Sequence, residues 1–170
     1  MEDSGSRAAQ RLALIASDEA LASLGARRED LEDPDVRAVA IRADHPELDR
    51  ALREGREAVL VDGEPMNARL HLTIHQVLAT QLADDDPPEV YLTACRLLGL
   101  GYERHEVLHM LAAPIAEQIH ATVQGGEGYD RERHLAALQA LPGSWQRRRG
   151  QRTLGRQDPR GRHTVRRRRR

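Results

Sequence analysis

Two pairs of histidines, each separated by four positions, constrain the fold of this chain more than any other feature. His71 and His75 form the first pair, and His105 and His109 form the second. Side chains four positions apart lie on the same face of an α-helix, so each pair would point two imidazoles to one side of a helix. Two such helices packed side by side could surround a metal ion with four nitrogen atoms. The spacing therefore predicts a helix at each pair and a metal site between the two helices.

The apolar residues available for a core also favour helices. The chain of 170 residues contains one Trp, three Tyr and no Phe, so leucine, alanine, valine and isoleucine must fill the core. This composition favours helix packing over a β-sandwich. The length suits one domain with a sizeable core. We expect an all-α fold: a helical bundle over residues 30–145, an N-terminal helix within residues 1–29, and a disordered Arg-rich C-terminal tail over residues 146–170.

Apolar periodicity and turn residues place the individual helices. The predicted helices span residues 6–24, 36–41, 46–53, 68–83, 88–98, 103–123 and 130–141. Asp44 and Asn67 are candidate caps for the helices that follow them. Pro114 removes a backbone hydrogen bond from the second motif helix and predicts a kink there. Ala58–Val61 is the only strand-like stretch and is too short to make a sheet alone. Cys95 lies in an apolar helical segment, which predicts a buried thiol.

Cysteine usage and hydropathy indicate the compartment. A single cysteine excludes an internal disulfide framework and favours a reducing environment. No apolar run approaches the roughly 20 residues that a membrane span needs. The acidic N-terminus, M-E-D-S-G-S, lacks the apolar segment of a signal peptide. We therefore expect a cytoplasmic protein that does not associate with membranes.

The near-zero net charge hides an acidic body and a basic tail. All 26 basic residues are arginine, and residues 147–170 carry twelve of them with one acid. Such a tail could bind nucleic acid by neutralising phosphates, although it has no aromatic residues to stack on bases. A tail that folds back on the acidic body, or that has no role, is the favoured interpretation. The oligomeric state is not indicated by the sequence.

The second motif helix carries a polar face beside an apolar one. At about 100° per residue, His105 and His109 share an arc with His120, and Glu106 and Glu117 lie just beyond it. Glu106 lies inside an H-E-x-x-H string, in which two histidines bind zinc and the glutamate acts as a base. Glu106 is therefore a candidate catalytic base, and Glu117 a candidate ligand.

Several metal chemistries are compatible with these donors. Imidazole and carboxylate suit Zn, Fe or Mn. Four histidines would make a closed site, whereas three histidines, or two with a glutamate, would leave a position open for water. A dimetal site would need both glutamates as ligands. A peptidase is disfavoured, because the extended zinc-protease string would need Gly and His where Ala112 and Ile115 stand. His45 and His134 lie in polar stretches, and we expect them to be solvated.

The combined motifs resemble a family of small bacterial helical proteins of unknown function. That family shows N-P-x-L-H-x-x-x-H, a Gln-Leu and Pro-Pro stretch, H-E-x-x-H, and a later Glu on the same helix. The resemblance covers about residues 65–130 and departs from the family pattern at Ala68, where Pro is usual, and at Pro114. It implies the same helical domain and supports treating one group of residues as functional: His71, His75, His105, Glu106, His109 and Glu117. It implies no activity.

The sequence thus predicts a metal-binding protein with a divalent ion (Zn, Fe or Mn) held between two helices by His71, His75, His105, His109 and Glu117. A metal-dependent hydrolase and an oxidase-type enzyme are both compatible with that set. The competing hypothesis is a metal-free helical interaction protein whose acidic body or basic tail contacts partners.

Overall fold

A computed structural model describes residues 4–61, 64–126 and 128–155 of the chain. The described part is built of helices with one short hairpin. In chain order these are α1 Ser4–Ile15, α2 Asp18–Leu24, a 3₁₀ helix Arg28–Glu32, α3 Pro34–Ala43, α4 Pro46–Arg53, β1 Ala58–Val61, β2 Glu64–Asn67, α5 Ala68–Asp84, α6 Pro88–Gly99, α7 Arg104–Gly125, α8 Arg131–Gln139 and α9 Gly143–Gly155. The predicted all-α helical bundle is confirmed.

The N-terminal segment forms two helices where the apolar pattern predicts one. Ser17 separates them, because its hydroxyl accepts a hydrogen bond from the backbone N–H of Ala20 at 3.0 Å and so caps α2. Leu12, Leu14 and Ile15 of α1 are buried in the same core as the central helices. Helix α1 therefore packs on the bundle, against α5.

The strand-like stretch Ala58–Val61 pairs with a second strand that the sequence analysis missed. β1 and β2 form an antiparallel two-stranded sheet in which Val59 lies opposite Met66 and Leu60 lies opposite Pro65. The second strand contains proline and no β-branched residue, so its composition gives no strand signal. The hairpin leads into α5, since the N–H of Ala68 donates to the carbonyl of Glu57 at 2.8 Å.

Helix α5 is the centre of the bundle and packs against α1, α3, α4, α6 and α7. The largest side chains that are fully buried are mainly leucines from all parts of the bundle: Leu31, Leu48, Leu78, Leu82, Leu97, Leu111 and Leu138, together with Met110. Cys95 faces away from this core and is exposed, so the predicted buried thiol is wrong. The pairing of α5 with α7 brings the two histidine motifs to one place.

The C-terminal part of the described chain remains helical further than its composition suggests. Helix α9 runs through Gly155, into the segment for which we predicted disorder from residue 146 onward. Trp145 packs against the core from this helix, and Gln146 donates to the hydroxyl of Tyr102 at 2.7 Å. The remainder of the predicted tail, residues 156–170, lies outside the described residues.

Candidate metal centre

Four histidines converge at one point: two from α5, one from α7 and one from the corner between α3 and α4. One ring nitrogen from each of His45, His71, His75 and His109 lies within 4.8 Å of the others. In a tetrahedral zinc site the ligand nitrogens stand about 3.3 Å apart, as follows from a Zn–N distance of about 2.0–2.1 Å. The four nitrogens are therefore close to ligating positions, and small side-chain rotations would close them around one ion.

Helix α5 supplies two of the four residues. Asn67 starts this helix by accepting a hydrogen bond from the N–H of Leu70 at 2.9 Å. One turn later His71 and His75 stack with ring centroids 4.6 Å apart, as the four-residue spacing predicts. His75 is 5% exposed and shares its helix face with the buried Leu78. The start of α5 thus fixes which face carries the imidazoles toward the core.

Helix α7 supplies the third nitrogen from the opposite side. It is continuous from Arg104 to Gly125, with Pro114 inside it. The ring of His109 lies 5.3 Å from that of His71 and 5.2 Å from that of His75, and is nearly perpendicular to both. The packing of α5 on α7 therefore brings histidines of the two motifs into contact.

His45 is the fourth member, and the prediction that it is solvated is wrong. It lies at the corner between α3 and α4, is 4% exposed, and its ring centroid is 4.6 Å from that of His75 and 5.1 Å from that of His71. The only hint in the sequence is its spacing from two core residues, Ile41 and Leu48. Because Pro46 follows His45 directly, residues 41–48 are not predicted to form one continuous helix, and the sequence does not show that these three side chains share a face.

Asp44, the residue before His45, fixes this corner in place. Its carboxylate accepts hydrogen bonds from the backbone N–H of Ser17 at 3.1 Å and from Arg104 Nη2 at 2.8 Å. Burial alone would raise the pKa of Asp44, but the bonds from Ser17 and Arg104 outweigh it and hold the pKa below its usual value. Asp44 does not cap α4 as predicted, since the cap position belongs to His45. It ties α3 to α7 instead.

Hydrogen bonding within the cluster shows which ring nitrogens are left for another partner. His45 Nδ1 lies 2.9 Å from the carbonyl oxygen of Ile41. A carbonyl only accepts, so Nδ1 is the donor in this hydrogen bond and Nε2 is the nitrogen that remains for another partner. The Nε2 atoms of all four histidines are buried and have no hydrogen-bond partner among the residues that the structure describes.

The cluster favours neutral imidazoles. Burial, followed by the positive charges that neighbouring histidines would carry, lowers the pKa of His71 to about 4. The same causes lower the pKa of His75 to about 2 and that of His109 to about 3. A neutral imidazole is the ligating form, so protons do not compete with a metal ion here near neutral pH.

His105 belongs to the same neighbourhood but stands at its edge. Its ring centroid lies 4.4 Å from that of His109 and 5.5 Å from that of His45. It is an exposed residue, and it is not among the four whose nitrogens converge. The structure therefore brings His105 beside the cluster and not into its centre.

The structure does not bring the two glutamates of α7 to the four nitrogens. Glu106 accepts a hydrogen bond from Arg149 Nη1 at 2.8 Å, and Glu117 is ion-paired with Arg148. Glu117 shares an angular sector with the histidines, but at 1.5 Å per residue it lies about 12 Å beyond His109 along the helix axis. Both carboxylates instead hold α9 against α7. Arg148 and Arg149, at the start of the basic segment, thus contact carboxylates of the acidic body.

Two other histidines lie away from the cluster. His120, which the helical projection grouped with His105 and His109, is exposed on α7. His134 on α8 is 1% exposed, so the prediction that it is solvated is also wrong. Its ring centroid lies 5.7 Å from that of Tyr129. The signal missed was its spacing from Leu138 and Leu141, which places all three on one buried face.

Comparison with known proteins identifies a family. A family model described as a domain of unknown function (DUF1841) matches residues 20–140. The chain belongs to this family. The DUF1841 region includes all five clustered histidines and both glutamates, whereas Arg148 and Arg149 lie beyond its end. No curated protein matches the chain, and no solved structure does either.

The match assigns the helical domain without an activity. Its description names no ligand or reaction, so a function must be argued from the geometry of the site. Within the described residues, no helix of this DUF1841 member combines the length and apolar character needed to cross a membrane.

Proposed function

We propose that this protein binds one divalent transition-metal ion through His45, His71, His75 and His109. Two observations carry the proposal: one ring nitrogen from each of the four histidines converges within 4.8 Å of the others, and their four buried Nε2 atoms have no hydrogen-bond partner among the described residues. Polar atoms buried in this way are rare in proteins, and each one calls for an explanation. A shared metal ion would satisfy all four at once.

The free energies involved favour this explanation over a cluster of ordinary core histidines. A buried polar atom without a partner costs about 1–3 kcal/mol, so four of them cost roughly 4–12 kcal/mol. Whole domains are stable by only about 5–15 kcal/mol. Metal ligation would remove this cost, and structural zinc binding contributes roughly 10–16 kcal/mol in small domains.

The donor set favours zinc among the candidates Zn, Fe and Mn. All four donors are imidazole nitrogens, and manganese prefers carboxylate and water oxygens. Four protein ligands around zinc make a closed site, which suits holding the ion. The hydrolase and oxidase alternatives need an open coordination position, and Glu106, the candidate base, is bonded to Arg149. We therefore propose a metal-holding function without assigning a reaction, and a cytoplasmic location stays a prediction.

Titration of chelator-treated protein with zinc tests this function. We expect one equivalent to bind, and His45→Ala to weaken the affinity by more than about 100-fold, because even outer-sphere partners of a metal ligand contribute 10–100-fold. His120→Ala, which removes an exposed histidine of α7, is the matched control and should bind zinc like the parent protein. Unchanged affinity in His45→Ala would contradict the proposed ligand set.

Substitution of Glu117 tests whether the predicted carboxylate ligand takes part. Glu117→Gln should keep the full metal content and change the free energy of unfolding by less than about 1 kcal/mol, because an exposed ion pair contributes little. Elemental analysis and urea denaturation would measure the two quantities. A loss of bound metal would show that Glu117 reaches the ion, and the four-histidine set would then be incomplete.

A further inference from the structure

The exposed His105 stands between the solvent and the buried nitrogens of the candidate metal centre. It lies in the first turn of α7, one turn before His109, with its ring centroid 4.4 Å from that of His109. Its ring is also 5.5 Å from that of His45, which lies at the corner between α3 and α4. The four converging residues are buried or half-buried, and His105 alone among the five is exposed. An ion that approaches from this side meets His105 first.

The charges around His105 favour the approach of a cation. Asp44, Glu47 and Arg104 are charged groups that act on His105. Asp44 and Arg104 are bonded to each other at 2.8 Å and largely cancel. Glu47 is exposed and forms no ion pair with any residue that the structure describes. Glu47 lies in the first turn of α4, two residues after His45, whose ring is 5.5 Å from that of His105. A negative charge at this place raises the local concentration of cations.

A ligand at the position of His105 would allow a hydrated ion to enter the buried site in steps. A hydrated ion cannot lose all its water and enter a buried cluster in one step, because an unpaired charge is very unfavourable there. An exposed imidazole in contact with the cluster can replace the first water molecules while the rest remain bound. The ion can then pass to His109 and His45, both of which neighbour His105.

We propose that His105 is an access ligand through which a divalent metal ion exchanges between solvent and the four buried histidines. This proposal rests on the proposed metal-binding function and adds a route by which the held ion enters and leaves the site. An access ligand lowers the barrier in both directions. Its removal should therefore slow uptake and release by the same factor and leave the dissociation constant unchanged.

The test uses the full chain, freed of metal by a chelator, mixed rapidly with zinc chloride and a fluorescent zinc indicator. His105→Ala should take up zinc at least about tenfold more slowly, which corresponds to about 1.4 kcal/mol of activation free energy. Release into excess chelator should slow by the same factor. His120→Ala is the matched control, since it lies on the same helix about 22 Å further along the axis and is also exposed. Its rates should equal those of the parent protein.

A second variant tests whether the carboxylate of Glu47 assists the entry of zinc. Glu47→Gln should slow zinc uptake at low ionic strength and lose this effect near 1 M salt, where the screening length falls to about 3 Å. Glu132→Gln, an exposed carboxylate on α8, should leave uptake unchanged at both ionic strengths. If both substitutions slowed zinc uptake equally, Glu47 would act only as part of the general surface charge. That result would contradict its place in the access route.

The outcomes separate this proposal from the metal-binding function. Rapid uptake by His105→Ala with intact zinc affinity would overturn the access role and leave the four-histidine site standing. A weakened affinity with an unchanged uptake rate would make His105 a permanent ligand and would also overturn the access role. Failure of the parent protein to bind zinc would contradict the metal-binding function itself.

Discussion

Zinc is expected to raise the midpoint of thermal unfolding of the chelator-treated protein by roughly 8–16 °C. A ligand that binds only the folded state at 1,000 times its dissociation constant stabilises it by about 4 kcal/mol. For a chain of this size each kcal/mol shifts the midpoint by about 2–4 °C. The physical cause is the pairing of four buried nitrogens that have no partner among the described residues. Circular dichroism melts in chelator and in zinc would measure the shift.

A variant separates this effect from general binding of zinc to the surface. His71→Ala/His109→Ala removes one ligand from each of α5 and α7, and its melting point should be the same in zinc and in chelator. The alternative hypothesis, a metal-free helical interaction protein, expects no shift in the parent protein either. Equal midpoints in chelator and zinc for the parent chain would favour that alternative.

The metal-free protein is expected to lose stability steeply as the pH falls below about 6.5. The folded-state pKa values of His71, His75 and His109 lie at about 4, 2 and 3, against an ordinary value of 6.5. Between those limits the unfolded chain binds more protons than the folded chain, so folding stability falls with falling pH. Each histidine contributes about 1.4 kcal/mol per pH unit, so three contribute roughly 4 kcal/mol per unit.

Urea denaturation in chelator at several pH values between about 5 and 7.5 would measure this dependence, since ordinary carboxylates titrate below about pH 5. His75→Leu should remove about a third of the slope, because one of the three strongly perturbed imidazoles is gone. A free energy of unfolding that does not change between pH 7 and 5 would contradict the burial of neutral imidazoles in the cluster.

The sequence predicts those parts of the fold and site that depend on local pattern. The helix at residues 46–53 has the predicted bounds, because Pro46 suits a first turn and Gly55 follows its end. The spacing of His71 and His75 predicts two rings on one face of α5, and the structure has them stacked. Such features require only the helical repeat and the preferences of single residues at helix ends.

The parts that the sequence does not predict depend on tertiary contacts. His45 joins the cluster because Asp44 is bonded to Ser17 and Arg104, which are distant in the chain. Glu117 matches the angle of the histidine face, but the rise of α7 separates it from them. Local hydrophobic patterns predict neither the position of His45 in the cluster nor the distance of Glu117 from it.

Helix α9 is a further case in which tertiary contacts matter, because its composition alone predicts disorder. Residues rich in arginine and glycine predict disorder, yet α9 packs through Trp145 and its arginines meet two glutamates of α7. The composition of α9 alone gives no sign of Glu106 and Glu117 on α7, with which its arginines pair. The contacts that hold α9, the packing of Trp145 and the ion pairs to α7, involve neighbouring elements that the segment's own composition does not reveal.

Elemental analysis of the purified, untagged protein by plasma mass spectrometry tests the central claim most directly. We expect about one equivalent of a transition metal, with zinc favoured, and none in His71→Ala/His109→Ala prepared in the same way. One equivalent that is lost in the double variant would establish the histidine cluster as a metal site. No metal in either protein, even after incubation with zinc, would contradict the claim and leave the histidines as residues of a metal-free core.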